Sequence, residues 1–331
     1  MDGSNGSGTS VGFAVYGTRV PWGDRVTTNV DGGPDASSGS FRRLVGRPLI
    51  SSARCLTRNR PSQWLLTRGA RRNLIPWPIL SRLRVVGSHT ISSPTGKPIT
   101  YVASSVDAVA PSIVWKSGSE SYESVTRGIF AELCNDCHLV VDVGAYSGIY
   151  SLTAASENPS LEVIALEPNP SVFPLLTRNI EANSFGNRVR AIKAAASDHV
   201  GDGTLFLNHD PTQSSLVPGF GGAPQVGDTQ IALVTLDDLV EGRRPVDLIK
   251  IDVEGAELLV LKGSPVILGR DQPALIVELL DSDSVDSVSS FLRRFGYGDA
   301  VPLGPERPYK TEGVLGSGHG NYLFSSPRTA R

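Results

Sequence analysis

The chain is poor in cysteine, with three in 331 residues. That excludes a disulfide framework and points to a reducing compartment. No apolar run approaches the ~18 residues of a membrane span. The opening MDGSNGSGTS has neither the charged n-region nor the apolar h-region of a secretory signal, so none is expected. Acidic residues are missing from Ala36 to Val106, where twelve Lys and Arg stand. Net charge is also small: 31 basic against 33 acidic residues give -2. That total hides a division. Residues 1–116 carry 15 basic and 5 acidic side chains (+10), and residues 117–331 carry 16 and 28 (-12). With 40% hydrophobic and 19% charged residues, the composition is that of a globular protein with a real core, and it excludes a collagen or a coiled coil.

Three regions follow. Residues 1–40 hold nine Gly and six Ser without sustained periodicity, and are expected to be a disordered tail. Residues 41–84 form a basic, Arg-rich extension. Its Trp64, Leu65, Leu66, Trp77, Ile79 and Leu80 suit peripheral membrane contact, with arginines meeting lipid phosphate. The competing reading is a solvated extension, packed in part on the domain behind it. Pro61, Pro76 and Pro78 break any long helix there. Residues 85–325 form one domain, with ordered structure expected from about Arg84.

Within that domain RLRVVGSHTI and KPITYVASS read as short strands. Residues 120–133 read as a helix. Strands and helices then alternate: HLVVDVG, IYSLTAASE, LEVIALE, PSVFPLLTRNIEANS, RVRAIKAAAS. After the strands GTLFLN and TQIALVTL come VDLIKIDVEG, AELLVLKGS, PALIVELL, SVDSVSSFLRRFG and GNYLFSS. Continuous apolar runs such as LVV, VIAL and ALIV mark strands buried on both faces. The fold class is therefore α/β: a doubly wound, mostly parallel Rossmann-like sheet with helices on both faces.

Ligands on such sheets bind beyond the carboxyl ends of the strands. Asp142-Val143-Gly144-Ala145-Tyr146-Ser147-Gly148 follows the first strand of the alternation and opens a helix. Gly144 permits a sharp turn, and Gly148 permits close approach of helix to sheet. Glu167 ends the next strand, where an acid accepts hydrogen bonds from a ribose diol. A dinucleotide pyrophosphate needs a second glycine where Tyr146 stands, and Asp142 adds an unfavourable negative charge. A cationic sulfonium favours that carboxylate. The residues therefore favour S-adenosylmethionine over a nicotinamide cofactor.

VVDVGAYSGIYSL, ALEPNPSVFPLLTRNI, TLDDLV, DLIKIDVEGAELLVLKG and PALIVEL, in this order and spacing, resemble the FkbM-type methyltransferases. IDVEG with the following AE is the most specific block, and Tyr146-Ser147 departs from the family's usual residues. The resemblance implies the sheet of the S-adenosylmethionine methyltransferase type and O-methylation of a hydroxyl, most often on a sugar or polyketide. It implies that Asp142, Gly144, Ala145, Tyr146 and Gly148 line the cofactor's methionine and ribose side. Glu167 would hold the ribose hydroxyls, Pro168 and Asn169 flank the adenine, and Ser197 and Asp198 sit at the adenine edge.

A sugar hydroxyl is a weak nucleophile and needs a base or a metal. Lys250, Asp252 and Glu254 alternate along the fourth long strand and share a face if it stays extended. Asp252 is the first candidate for base or metal ligand, and Glu254 the second. The bland alternative pairs Lys250 with Asp252 and leaves Glu254 capping a helix. Glu278 ends the next strand and faces the same cleft. A divalent ion such as Mg²⁺ is admitted by these carboxylates and not demanded. His209, in the polar loop after GTLFLN, is a further base candidate, although a loop His is more often solvated. Cys134-Asn135-Asp136-Cys137-His138 fits a haem-attachment pattern, but without a signal for export it reads as two cysteines closing a helix. The expected partner is a carbohydrate or small-molecule hydroxyl, not nucleic acid. The expected location is the cytoplasm, with the Arg-rich segment as the link to a membrane surface. Two alternatives compete: an NAD-dependent oxidoreductase on a similar fold, and a non-catalytic binding protein.

Overall fold

A computed structural model describes residues 60–72, 74–80, 83–116, 121–222, 224–304 and 319–329. The expected tail 1–40 and the first part of segment 41–84 lie outside the described residues. Among the described residues helical structure is present already from Arg60, ahead of the expected Arg84, with α1 (Arg60–Arg71) and α2 (Trp77–Leu80). The reason is apolar burial. Ala70, Leu80 and Leu83 are buried in the core, and Leu66, Ile75 and Trp77 pack against it. Three of the six residues expected to meet a membrane thus face inward. Leu65 and Ile79 are exposed, and the Trp64 side chain lies outside the described residues.

An antiparallel hairpin follows, β1 (Gly87–Ser92) with β2 (Pro98–Ala103), in register Gly87↔Ala103 to Ser92↔Pro98. Then come α3 (Ala110–Val114) and α4 (Ser124–Cys134). Cys134 closes α4, and both Cys134 and Cys137 are buried free thiols, as expected of a helix end.

The alternation builds β3 (Leu139–Val143), α5 (Ile149–Glu157), β4 (Glu162–Leu166), α6 (Phe173–Ala182) and β5 (Val189–Ile192). The expected strand 188–197 is in fact two. After β5 the chain leaves the main sheet, and β6 (Ala195–Ala196) joins a three-stranded sheet with β7 (Gly201–Asn208) and β8 (Gln225–Val234), in order β6-β8-β7. Next are α7 (Leu236–Leu239), β9 (Leu248–Ile251), α8 (Glu257–Lys262), β10 (Ala274–Leu279), α9 (Ser282–Arg293), β11 (Val301–Pro302) and β12 (Gly320–Phe324).

The main sheet runs β11-β12-β10-β9-β3-β4-β5. β10, β9, β3, β4 and β5 are parallel, and β12 is antiparallel to both neighbours. Side chains alternate across each strand, so each strand feeds two cores. Val140, Val163, Leu248 and Ile276 meet Phe130, Leu152 and Leu176 of α4–α6 on one face. Val141, Ile164, Ile249 and Val277 meet Leu236, Leu261 and Leu292 of α7–α9 on the other. Each such buried side chain contributes about 1.5–3 kcal/mol. From β3 the chain proceeds outward to β4 and β5, then returns to β9 on the opposite side. That reversal opens a crevice at the carboxyl ends of β3 and β9, where sheets of this kind bind ligands. Among the described residues no helix is long and apolar enough to cross a membrane.

Candidate active site

The loop after β3 is clamped between its neighbours. Gly144 and Ala145 N–H both donate to the Leu166 carbonyl at the end of β4 (3.0 and 2.8 Å), and Asp252 N–H donates to the Val143 carbonyl (3.0 Å). Gly144 has φ +81°, and a Cβ there would stand 1.8 Å from the Asp252 carbonyl oxygen. Only glycine fits. Gly148 has φ +89°, and a Cβ there would stand 2.6 Å from Leu176. The expected closeness of helix to sheet is thus closeness of the loop to α6. Tyr146 holds a left-handed φ of +51°. Its hydroxyl donates to the Val106 carbonyl (3.2 Å) and accepts from Ala108 N–H (3.1 Å).

Glu167 is buried. Its Oε2 accepts from Tyr146 N–H (2.9 Å) and its Oε1 from Asn169 N–H (2.8 Å). Each oxygen keeps a further lone pair for a ligand hydroxyl. Burial pushes this carboxyl up to about 7. Asn169 holds the start of the next segment, accepting from Ser171 N–H and Oγ, and donates to Ser214 Oγ (3.2 Å). Pro168 between them is half-buried. Asp142 is directed inward. Its Oδ2 accepts from Ser151 N–H (3.0 Å) and Oγ (2.6 Å), fixing α5, and burial raises it to about 6. The Ser197 carbonyl packs on Gly263 at the end of α8 remote from Glu257, and Asp198 pairs with His199 (2.7 Å). Among the described residues neither bonds to the loop or to Glu167.

Lys250 is 1% exposed in an apolar strand, and its Nζ lies 3.4 Å from Asp252 Oδ2 and 5.3 Å from the Tyr150 ring centroid. Burial works against its charge, but Asp252, Glu123, Glu278 and Asp142 outweigh burial and hold the ammonium charged. Oxygens of Glu123, Asp252 and Glu278 lie within 4.8 Å of one another. Burial, then Asp252 and Glu123, push Glu278 well above the usual carboxylate range. Glu254 is not in that group. β9 ends at Ile251 and Glu254 takes φ +54°, so the expected period-two face breaks there. Of the bland alternative, the pairing of Lys250 with Asp252 holds, but Glu254 does not cap the helix: no side chain caps α8, and Glu257 Oε1 accepts from Gly255 N–H (2.8 Å). A divalent ion drawn to Asp252 would therefore meet Glu123 and Glu278 in place of Glu254.

The segment after β7 folds over this turn. Ser215 Oγ donates to the Glu254 carbonyl (2.6 Å), and the Phe220 ring lies where a Gly255 side chain would be (2.8 Å). His209 is exposed and makes no hydrogen bond among the described residues, while neighbouring Asp210 faces Glu254 and Tyr146. Sequence reasoning missed Glu123, Arg127 and Tyr150. Glu123 and Arg127 stand four residues apart at the start of a helix with an otherwise apolar buried face, the signal that would have found them.

The sequence model of the family described as Methyltransferase FkbM domain matches residues 142–298. Methyltransferase sdnD of Sordaria araneosa is 31% identical over 179 residues, 42% of this chain and 67% of that protein. The 31-O-demethyl-FK506 methyltransferase FkbM of Streptomyces tacrolimicus is 28% identical over 212 residues, 52% of this chain and 80% of that protein. Hexuronic acid methyltransferase AglP of Haloferax volcanii is 26% identical over 180 residues, 54% of this chain and 69% of that protein.

Proposed function

The chain belongs to the FkbM methyltransferase family, and from that premise we propose that it methylates a sugar hydroxyl, using S-adenosylmethionine. The acceptor class is a glycolipid, a polysaccharide or a secondary-metabolite glycoside. The observation that carries this reading is the contact between the cofactor loop and the candidate base: Gly144 lies directly against the Asp252 carbonyl.

The residues present fit the cofactor. Gly144 lets the loop after β3 close tightly on the end of β9, and Glu167 keeps lone pairs for the ribose hydroxyls. When bound, the cofactor supplies a methyl group on a cationic sulfur that needs no further activation. Asp252 takes the proton of the acceptor hydroxyl. The Lys250 ammonium beside it steadies the oxygen as negative charge develops. Glu123 and Glu278 accept hydrogen bonds from neighbouring hydroxyls of the acceptor, and the Ser215–Phe220 segment covers the turn. These crowded acceptors, together with the hexuronic acid in the name of AglP, support a sugar. Lys250 already places a cation against Asp252, and no step here requires a divalent ion. Exposed Leu65, Leu74 and Ile79 beside the arginines support peripheral contact of this region with an anionic membrane. No nucleic-acid partner is proposed.

The test is transfer of labelled methyl from S-adenosylmethionine to a panel of neutral and hexuronic glycosides. A labelled methyl ether with equimolar S-adenosylhomocysteine is expected. Label found only in a methyl ester, or only in non-carbohydrate acceptors, would overturn the sugar hydroxyl assignment.

A further inference from the structure

Arg127 lies one turn after Glu123 on α4 and is 3% exposed. Nη1 makes one long bond, to Ser121 Oγ at 3.5 Å. Nε and Nη2 are buried and have no hydrogen-bond partner. Leaving two donors of a cation desolvated and unpaired is strongly unfavourable, and a fold keeps such a group where a ligand completes it. Burial also works against the charge of this guanidinium.

The identity of the two open nitrogens narrows the ligand. Nε and Nη2 form the side-on edge of a guanidinium, which takes both oxygens of one carboxylate. The chain shows this use elsewhere: Arg270 Nε and Nη2 hold Asp271 Oδ1 and Oδ2 at 2.6 and 3.0 Å. Arg127 presents the same edge, open and buried. Glu123 does not fill it: neither nitrogen has a hydrogen-bond partner, and Glu123 Oε2 instead accepts from the Tyr150 hydroxyl.

The surroundings of the edge narrow the source. Glu123 and Phe130, which flank Arg127 on the same face of α4, both reach Tyr150: the Glu123 carboxylate takes its hydroxyl, and the Phe130 ring stands edge-on to its ring at 4.9 Å. Tyr101 places its hydroxyl 2.7 Å from Ser147 Oγ, inside the glycine loop, and donates to Asp107 Oδ2. Tyr150 stands two residues after Gly148, in the first turn of α5. Asn179 fixes the loop from its other side, donating to the Ser147 carbonyl at 2.9 Å. The helix face that carries the fork therefore packs on the first turn of α5, at the exit of the cofactor loop.

We propose that Arg127, through Nε and Nη2, binds the carboxylate at the amino-acid end of the cofactor. This rests on the S-adenosylmethionine reading above. A carboxylate on the acceptor has the same chemistry, so the test must separate the two sources. S-adenosylhomocysteine and its decarboxylated amine, S-adenosyl-3-thiopropylamine, differ only by that group. Calorimetric affinities of both are measured for the wild-type chain, Arg127→Met and Arg127→Lys. The acidic cleft favours the amine in every protein, so the reading is the ratio of the two affinities. That ratio is expected to fall at least tenfold in Arg127→Met, through loss of S-adenosylhomocysteine binding alone, and by less in Arg127→Lys. If Arg127→Met does not fold, the smaller fall in Arg127→Lys, which keeps the charge without the fork, carries the test. An unchanged ratio overturns the proposal. Failure of the wild-type chain to bind either compound overturns the cofactor reading, and this proposal with it.

Discussion

Replacing Gly144 with alanine should break the loop on which both halves of the site depend. An alanine at φ +81° costs about 1–2 kcal/mol in backbone conformation alone. Its Cβ would stand 1.8 Å from the Asp252 carbonyl, where ordinary contact starts at 3.4 Å. Loop and strand end must then part by about 1.6 Å in an interior packed like a crystal, which adds about 1–3 kcal/mol. The sum is about 3 kcal/mol, a fall of roughly 4–5 °C in Tm for a chain of this size. Cofactor affinity should fall in parallel, because the displaced loop carries Tyr146 N–H away from Glu167. Thermal unfolding and titration with S-adenosylhomocysteine measure the two effects. Gly128→Ala is the control. It lies inside α4 with open space at its Cβ, so alanine there should stabilise by about 0.5–1 kcal/mol. A Gly144→Ala protein with wild-type Tm and wild-type affinity would refute the reasoning.

Asp252→Asn should lower methyl transfer by about 10²–10⁴-fold while leaving cofactor affinity within a few-fold, as read in a radiometric assay beside calorimetry; full activity would remove Asp252 from the chemistry. Lys250→Met leaves Asp252, Glu123 and Glu278 facing one another without their buried cation, and should cost about 3–5 kcal/mol at pH 8. The loss should shrink as pH falls, because Glu278 is held well above the usual carboxylate range and sheds its share of the repulsion on protonation, and urea unfolding across a pH series checks it. Glu167 is raised from 4.5 to about 7, so ionising it costs the empty fold stability as pH rises from about 4.5 through 7. Ribose hydroxyls donate to the ionised form, so S-adenosylhomocysteine affinity should rise between pH 6 and 8. In Glu167→Gln that rise should vanish, and a rise that persists would assign it to another group.

Much of this site is legible in the sequence because it is local. LVVDVGAYSG and VIALE carry strand, turn and acid within one βαβ unit, and each strand is buried on both faces, which its apolar run announces. Lys250 and Asp252 were legible for the same reason. Glu254 was misplaced because alternation holds only while a strand stays extended, and β9 stops at Ile251. The run RVRAIKAAAS misled in a similar way: its residues favour β structure throughout, yet the chain changes sheets after Ile192. Glu123 and Arg127 come from a helix preceding the sheet, and only tertiary packing brings them to Asp252 and the glycine loop. The expectation for Ser197 and Asp198 comes from resemblance alone; the structure sets the Ser197 carbonyl against Gly263, just after α8.

The measurement that tests the central claim most directly is calorimetric titration of the intact chain with S-adenosylhomocysteine, beside NAD. One equivalent of S-adenosylhomocysteine should bind to the wild-type protein and not to Gly144→Ala, and NAD should not bind. Saturable binding of NAD with none of S-adenosylhomocysteine would contradict the account.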